Sequence, residues 1–258
     1  MEFAKQGRPM TAKGMSVVCE MLGVGEAEIW AVLTVETRGF GYLVDRHPQI
    51  LFERHIFSRR TGGKHDARHP DISSRRPGGY QGGAGEYERL ERAIKLDEEE
   101  ALKSASWGLP QVMGFNHRVV GFDSVGEMVE AMVESEDHQL EALAQFIMAN
   151  PKCRIGIERH DWGTLAACYN GPNFRLNDYD NRLAAAYEKT RRMLPDLGLR
   201  AAQVALTYLG YKPGLIDGLR GRLTRGALVE FQEKHELPPT GELDEETDAK
   251  LLAEAFPA

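Results

Sequence analysis

Apolar positions recur at helical spacing through most of this chain. Val17, Val18, Met21 and Leu22 form one stripe and predict a helix from Thr11 to Leu22, ended by Gly23 and Gly25. Glu26 and Glu28 open a second helix, where acidic side chains suit the positive end of the dipole. That helix carries the apolar run Trp30, Ala31, Val32, Leu33 and Val35 and closes on one carboxylate, Glu36. Gly39 and Gly41 follow soon after and stop it. Ile50, Leu51 and Phe52, after Pro48, predict a short strand or extended segment. Residues 59–86 are rich in Gly, Arg, Ser and His and too poor in apolar side chains to pack a core. They read as a long surface loop or irregular hairpin.

Helical signals resume at Tyr87 to Leu96. Asp97 then predicts the cap of a helix running through Ala101, Leu102 and Ala105, broken by Ser106 to Gln111. Ser124–Glu134 and Glu136–Asn150 are strongly amphipathic, with Val125, Met128, Val129 and Met132 on one stripe and Leu140, Leu143, Phe146 and Ile147 on the other. Pro151 stops the second. Asp161 caps Trp162 to Tyr169, and Asn177 caps Asp178 to Met193. Residues 194–198 read as a linker. Beyond it, Ala201–Leu209, a helix from Arg225 to Leu237 capped by Thr224, and a last helix from Asp244 to Ala255 predict a three-helix bundle. A unit of about 60 residues is within the range that small domains can fold alone. The pattern therefore predicts a mainly α protein with domains at 1–193 and 199–258 and one small β patch after the Glu36 helix.

Composition narrows the classes. At 258 residues and 42% apolar the chain can build a real core. No apolar run approaches the roughly 20 residues of a membrane span. The opening MEFAKQGRPM has no apolar core of a secretory signal. A net charge of −7 argues against nucleic acid as partner. Cys19, Cys153 and Cys168 show neither a CxxC pair nor metal-ligand spacing. They fit folding in a reducing compartment, with Cys19 and Cys168 as buried, inert thiols. No heptad run demands a partner helix, so a monomer is expected. His65 and His69 have an i, i+4 spacing that could hold zinc. The glutamate of an HExxH motif is missing and the context is a loop, so no metal is expected.

Glu36 is the leading candidate for chemistry. Apolar neighbours and the negative end of a helix dipole both disfavour its charged form, which is what a general acid near neutral pH needs. Glu53 follows the predicted strand, and Asp45 precedes it. Either supplies a second carboxylate on a segment that returns over the helix end, as glycoside hydrolysis requires. The bland reading of Glu53 is a structural cluster with Arg54 and His55. In Trp107-Gly108-Leu109-Pro110-Gln111 an aromatic and an amide flank a glycine turn, which suits sugar binding as well as a helix end.

Three separated segments also line up with one superfamily. VETRGFG (35–41) resembles the catalytic-glutamate segment of lysozyme-like enzymes. SWGLPQV (106–112) resembles the serine–glycine–leucine–methionine–glutamine segment of lytic transglycosylases and goose-type lysozymes, with Pro110 in place of the methionine. YNGP (169–172) resembles their tyrosine–asparagine element. Taken together with DWGTLAACYNGPNF, these segments make residues 10–193 similar to the N-acetylmuramidase domain of phage endolysins. Residues 199–256, with Asp217, Gly218, Thr224 and Phe231 in the signature positions, resemble a peptidoglycan-binding three-helix domain.

The resemblance implies a lysozyme-like catalytic domain that hydrolyses the β-1,4 bond between N-acetylmuramic acid and N-acetylglucosamine. Glu36 would be the general acid and Glu53, or else Asp45, the second carboxylate. Gln111, Tyr169 and Asn170 would hold the sugars, with Trp107 and Phe40 lining the cleft. Peptidoglycan would be the partner and no cofactor is required. It further implies an endolysin kept in the host cytoplasm until the membrane is permeabilised. Three other readings stand beside it. One is a lytic transglycosylase releasing 1,6-anhydro products, another a wall-binding protein without activity, and the third a zinc peptidase or amidase using His65 and His69.

Overall fold

One helix runs through the middle of the larger domain. α1 (Ala12–Leu22) leads into α2 (Glu26–Glu36), which buries Ile29, Trp30, Ala31, Val32, Leu33 and Val35. A helix that is apolar on all sides must be covered on all sides. The structure, a computed structural model, describes residues 2–36, 39–171 and 174–257, without the side chains of Glu36, Asn170 and Leu176. Among the described residues no helix is long and apolar enough to cross a membrane.

The larger domain also holds a three-stranded antiparallel sheet. β1 (Ile50–Phe52) pairs with β2 (Ala105–Trp107), which pairs with β3 (Val112–Met113). The register sets Ile50 opposite Trp107 and Phe52 opposite Ala105. α3 (Arg54–Arg60) follows β1 directly, and α4 (Ala84–Ile94) packs behind the sheet. The helix expected to reach Ala105 is shorter. α5 (Glu98–Lys103) is capped by Asp97, as its sequence predicts, but the Ser104 hydroxyl donates back to Glu100 O at 2.6 Å, and Ala105 is already in β2.

α6 (Val125–Glu134) and α7 (Glu136–Met148) share Ser135 between them, and its hydroxyl caps α7. Pro151 does not simply stop the chain's helical run. It is the first residue of α8 (Pro151–Glu158), whose cap is the Asn150 side chain accepting from Lys152 N at 3.0 Å. Proline suits that position because its missing N–H would be unpaired there anyway. α8 brings Cys153 beside Cys168 on α9 (Trp162–Asn170), and the two form a disulfide with Cα atoms 5.5 Å apart. This corrects the expectations of an inert thiol at Cys168 and of a cysteine set kept reduced, since the pairing depends on α8, a helix that the stop at Pro151 hides. Cys19 is free. Burial, with Glu26 and Glu28 nearby, pushes its thiol up to about 11, so it stays protonated. A 3-10 turn over Phe174–Asn177, where a cap at Asn177 was expected, precedes α10 (Tyr179–Thr190), which packs along α2.

The residues expected as a linker are structured. The Asp196 side chain caps α11 (Leu197–Tyr208) by accepting from Leu199 N at 2.9 Å, so the smaller unit begins inside the predicted linker. α11, α12 (Arg222–Lys234) and α13 (Glu245–Ala255) enclose Ala202, Leu206, Leu228, Phe231 and Leu251. Gly221, not Thr224, stands at the start of α12. This bundle contains a repeat invisible to periodicity. Buried Gln203 accepts from Gly218 N at 2.8 Å and donates to Thr224 Oγ1 at 3.2 Å. Buried Gln232 accepts from Gly241 N at 2.8 Å and donates to Thr247 Oγ1 at 3.1 Å. Each glutamine thus ties a glycine turn to the start of the next helix.

The disulfide closes a short loop, so Cys153→Ser is expected to lower unfolding free energy by about 3 kcal/mol. Urea denaturation with and without reductant checks it. Reductant should shift the wild-type midpoint by the same amount and leave the variant unmoved; an unshifted wild type would show that the pair is not closed.

Candidate active site

α2 ends with open carbonyls, as every helix does. Arg182 of α10 donates to Val35 O at 3.1 Å and fills one of them. Glu36 is the last residue of α2, and its side chain lies outside the described residues. The chain then passes Gly39, at φ +92, and is tied to the residue before β1. Gln49 N donates to Gly41 O at 2.8 Å and Gln49 Nε2 to Phe40 O at 2.6 Å. The end of the Glu36 helix and the sheet are therefore one hydrogen-bonded unit.

Glu53 sits just past β1, held by its backbone N–H donating to Ser104 O at 2.9 Å. Its half-buried carboxylate accepts from the Tyr80 hydroxyl at 2.9 and 3.1 Å, and His55 Nδ1 lies 3.0 Å away. Burial and the adjacent Glu53 push the Tyr80 phenol up, so at neutral pH the hydroxyl is the donor. Arg54 points elsewhere and donates to Arg76 O at 2.9 Å and Pro77 O at 3.0 Å, securing the loop that carries Tyr80. Asp45 has a different setting. It lies in the Tyr42–Pro48 hairpin and accepts from His47 N at 3.2 Å. The neighbouring Arg46 reaches the smaller domain by donating to Ala255 O at 2.7 Å.

Behind Glu53 is a buried pair that the sequence reading did not single out. Glu86 accepts from Phe52 N at 3.1 Å, Gln81 N at 2.6 Å, Gly82 N at 3.0 Å and Arg89 Nη1 at 2.7 Å, while Arg89 also donates to Phe52 O at 2.9 Å. Burial alone would raise the Glu86 pKa. The backbone donors and the Arg89 charge outweigh it and hold the carboxyl below its ordinary range. One signal was available: Glu86 and Arg89 fall on the same face of α4 as Leu90 and Ala93.

The second motif forms a turn at Gly108 (φ +67) and Gln111 (φ +51). The Gln111 amide donates to Gly108 O at 2.8 Å and Gln49 O at 3.1 Å and accepts from Ser106 Oγ at 2.7 Å. The third motif meets it where the Tyr169 hydroxyl donates to Pro110 O at 2.8 Å. The Asn170 side chain lies outside the described residues. Trp107 does not line a cleft. It is fully buried, and its indole N–H donates to Leu102 O at 3.1 Å. Phe40 is likewise buried, against Tyr42 and Val204 of α11. Both residues lie on the inward side of their segments, which residue type alone does not reveal.

The segment after α2 and the second motif meet at the first turn of α7. Gln139 is buried, accepts from Leu109 N at 2.6 Å and donates to Met132 O at 2.8 Å. It fits only because Gly41 and Gly108 flank it; a Cβ on them would come within 2.1 Å and 2.5 Å of its amide. Glu136, one turn earlier and also buried, accepts from Met10 N and Gly41 N, each at 2.9 Å. Both share a face with Leu140 and Leu143, yet a search for apolar stripes passes over them.

In the smaller domain the four signature residues are internal supports. Phe231 is core, and Thr224 is buried under Pro213 O. Asp217 accepts from Leu219 N, and Gly218 rests on Gln203. His65 stacks on Phe57 with centroids 5.8 Å apart. Among the described residues no three His, Cys, Asp or Glu side chains converge as a metal site would require.

The chain is similar to known proteins in both of its domains. The N-acetylmuramidase family matches residues 25–191, and a peptidoglycan binding domain family matches residues 196–251. The crystal structure of the Burkholderia AP3 phage endolysin superposes with a TM-score of 0.67, at 35% identity over 72% of this chain and 72% of that one. No curated protein matches.

The Glu86 carboxyl gives a pH test. Because its pKa is lowered on folding, the stability it contributes is present above the unfolded value of 4.5 and is lost as pH falls through the folded value. Glu86→Gln should lose about 3 kcal/mol at neutral pH. Its unfolding free energy should also fall less than the wild type's as pH drops below 4.5. Parallel pH profiles for the two proteins would contradict the assignment.

Proposed function

The chain belongs to the N-acetylmuramidase family, and on that premise we propose that Glu36 is the general acid with which it hydrolyses peptidoglycan. It is a glycoside hydrolase acting on the bacterial wall, an endolysin with a second domain for the same polymer. Glu36 protonates the oxygen bridging N-acetylmuramic acid and N-acetylglucosamine. Glu53, held by Tyr80 and His55, activates water or stabilises the oxocarbenium-like charge, and Asp45 is the second choice for that role. Asn170 contacts the sugar, while Gln111 and Tyr169 shape the floor beneath it. The protein acts as a monomer, and waits in the host cytoplasm until the membrane is opened.

The observation that supports this most is the bonding of three distant segments into one surface. Gln49 joins Gly41 to Gln111, and Tyr169 joins Pro110 to the end of α9. The first of these segments follows closely on Glu36, the last residue of α2.

Mass spectrometry of released muropeptides tests the reading. Wild type should leave reducing N-acetylmuramic acid ends, and Glu36→Gln should slow release about 1,000-fold. Products one water lighter would indicate transglycosylation, and equal rates for the two proteins would refute Glu36 as the acid.

A further inference from the structure

We propose that Arg200, contributed by the wall-binding domain, is a positioning residue for the catalytic segment. The second domain then completes the glycosidase site as well as holding the wall. The inference rests on the reading of Glu36 as the general acid.

Arg200 lies on α11 and is 1% exposed. Its guanidinium enters the larger domain. Nη1 donates to Glu136 Oε2 at 2.5 Å, and Nη2 donates to Glu136 Oε1 at 2.8 Å and to Gly39 O at 2.7 Å. Glu136 in turn accepts from Gly41 N at 2.9 Å. Arg200 and Glu136 thus hold the chain just after Glu36 at two points, a carbonyl and an amide. The same guanidinium sits 5.8 Å from the Phe40 ring centroid and 6.0 Å from that of Trp30, on the catalytic helix itself.

The domain's backbone also closes on this segment. A Cβ at Gly39 would lie 3.1 Å from Ile216 O, and its φ of +92 already favours glycine. A tether needs none of this, because it can attach at any surface away from the chemistry. The contact that Arg46 makes with the smaller domain is of that remote kind. Arg46 donates to Ala255 O and lies 4.1 Å from the centroid of Tyr208, without touching Gly39 or Gly41.

Holding a reacting group matters because displacement by about 1 Å can cost on the order of 100-fold in rate. The fork geometry of arginine is also specific. A lysine can keep the ion pair with Glu136 but cannot hold both of its oxygens and the Gly39 carbonyl in one plane.

The test uses the full chain acting on a soluble peptidoglycan tetrasaccharide, too short to occupy both domains. Arg200→Met should lower kcat about 100-fold while KM stays within about threefold. Its sedimentation with insoluble wall should match the wild type. Arg200→Lys should recover the melting temperature but leave kcat at least about tenfold low. Arg46→Met, which removes a remote contact between the domains, should lose stability and keep kcat. If Arg200→Met fails to fold, Arg200→Lys decides. A folded Arg200 variant with wild-type kcat overturns the proposal, as does an equal kcat loss in Arg46→Met. Should Glu36→Gln keep wild-type activity on this substrate, the general-acid reading fails first. If Glu36→Gln is inactive while Arg200→Lys is fully active, only the positioning role is lost.

Discussion

A carboxylate sealed from water has about four lone-pair positions to fill, and each one left empty is costly. Glu136 fills them with Met10 N, Gly41 N and two nitrogens of Arg200. Those partners belong to the N-terminal arm, the segment after α2, and the peptidoglycan-binding domain. One buried charge on α7 therefore forces three distant parts of the chain to one place. Leaving either member of such a pair alone in the interior costs about 3–5 kcal/mol. The arrangement is accordingly all or nothing, and this suits a site whose parts must hold their relative positions.

Gln139, one turn along α7, extends the constraint to the second motif through Leu109 N. Gln49 and Gln111 then carry it to the sheet, and Tyr169 carries it to α9. The neutral amides and the single ion pair divide the work. Amides, which both donate and accept, join backbone segments at low desolvation cost, whereas the ion pair fixes which domain face docks. The disulfide between α8 and α9 braces the helix that carries the third motif. The third motif is thus tied to the second through Tyr169 and to α8 through the disulfide.

Much of this was legible in the sequence. Asp97 and Asp161 each cap a helix by accepting from a backbone N–H within the first turn, as their positions before an apolar stripe suggest, and the helices expected from Thr11, Ser124 and Asp244 begin one residue later with those side chains as caps. What escaped did so for physical reasons. β2 and β3 are two or three residues long and leave no periodicity to detect. Pro151 marks the end of one helix and the start of the next, and the residue type alone does not show the second role. The partner of Cys168 depended on that missing helix. Glu136, Gln139 and Arg200 look like solvated positions one at a time. Only their mutual distances, which no single position encodes, show that they are the centre of the molecule. Trp107 and Phe231 err in the other direction, because an aromatic residue can face a ligand or the core with the same sequence signature.

The Gly39–Gly41 segment is locked to α7 as firmly as α7 is locked to the core. Amide hydrogen exchange resolved to single residues measures this directly. The N–H groups of Met10, Gly41 and Leu109, each given to Glu136 or Gln139, should exchange only with global unfolding, as slowly as the interior of α7. Exchange of Gly41 at the rate of an exposed loop, with α7 still protected, would contradict it.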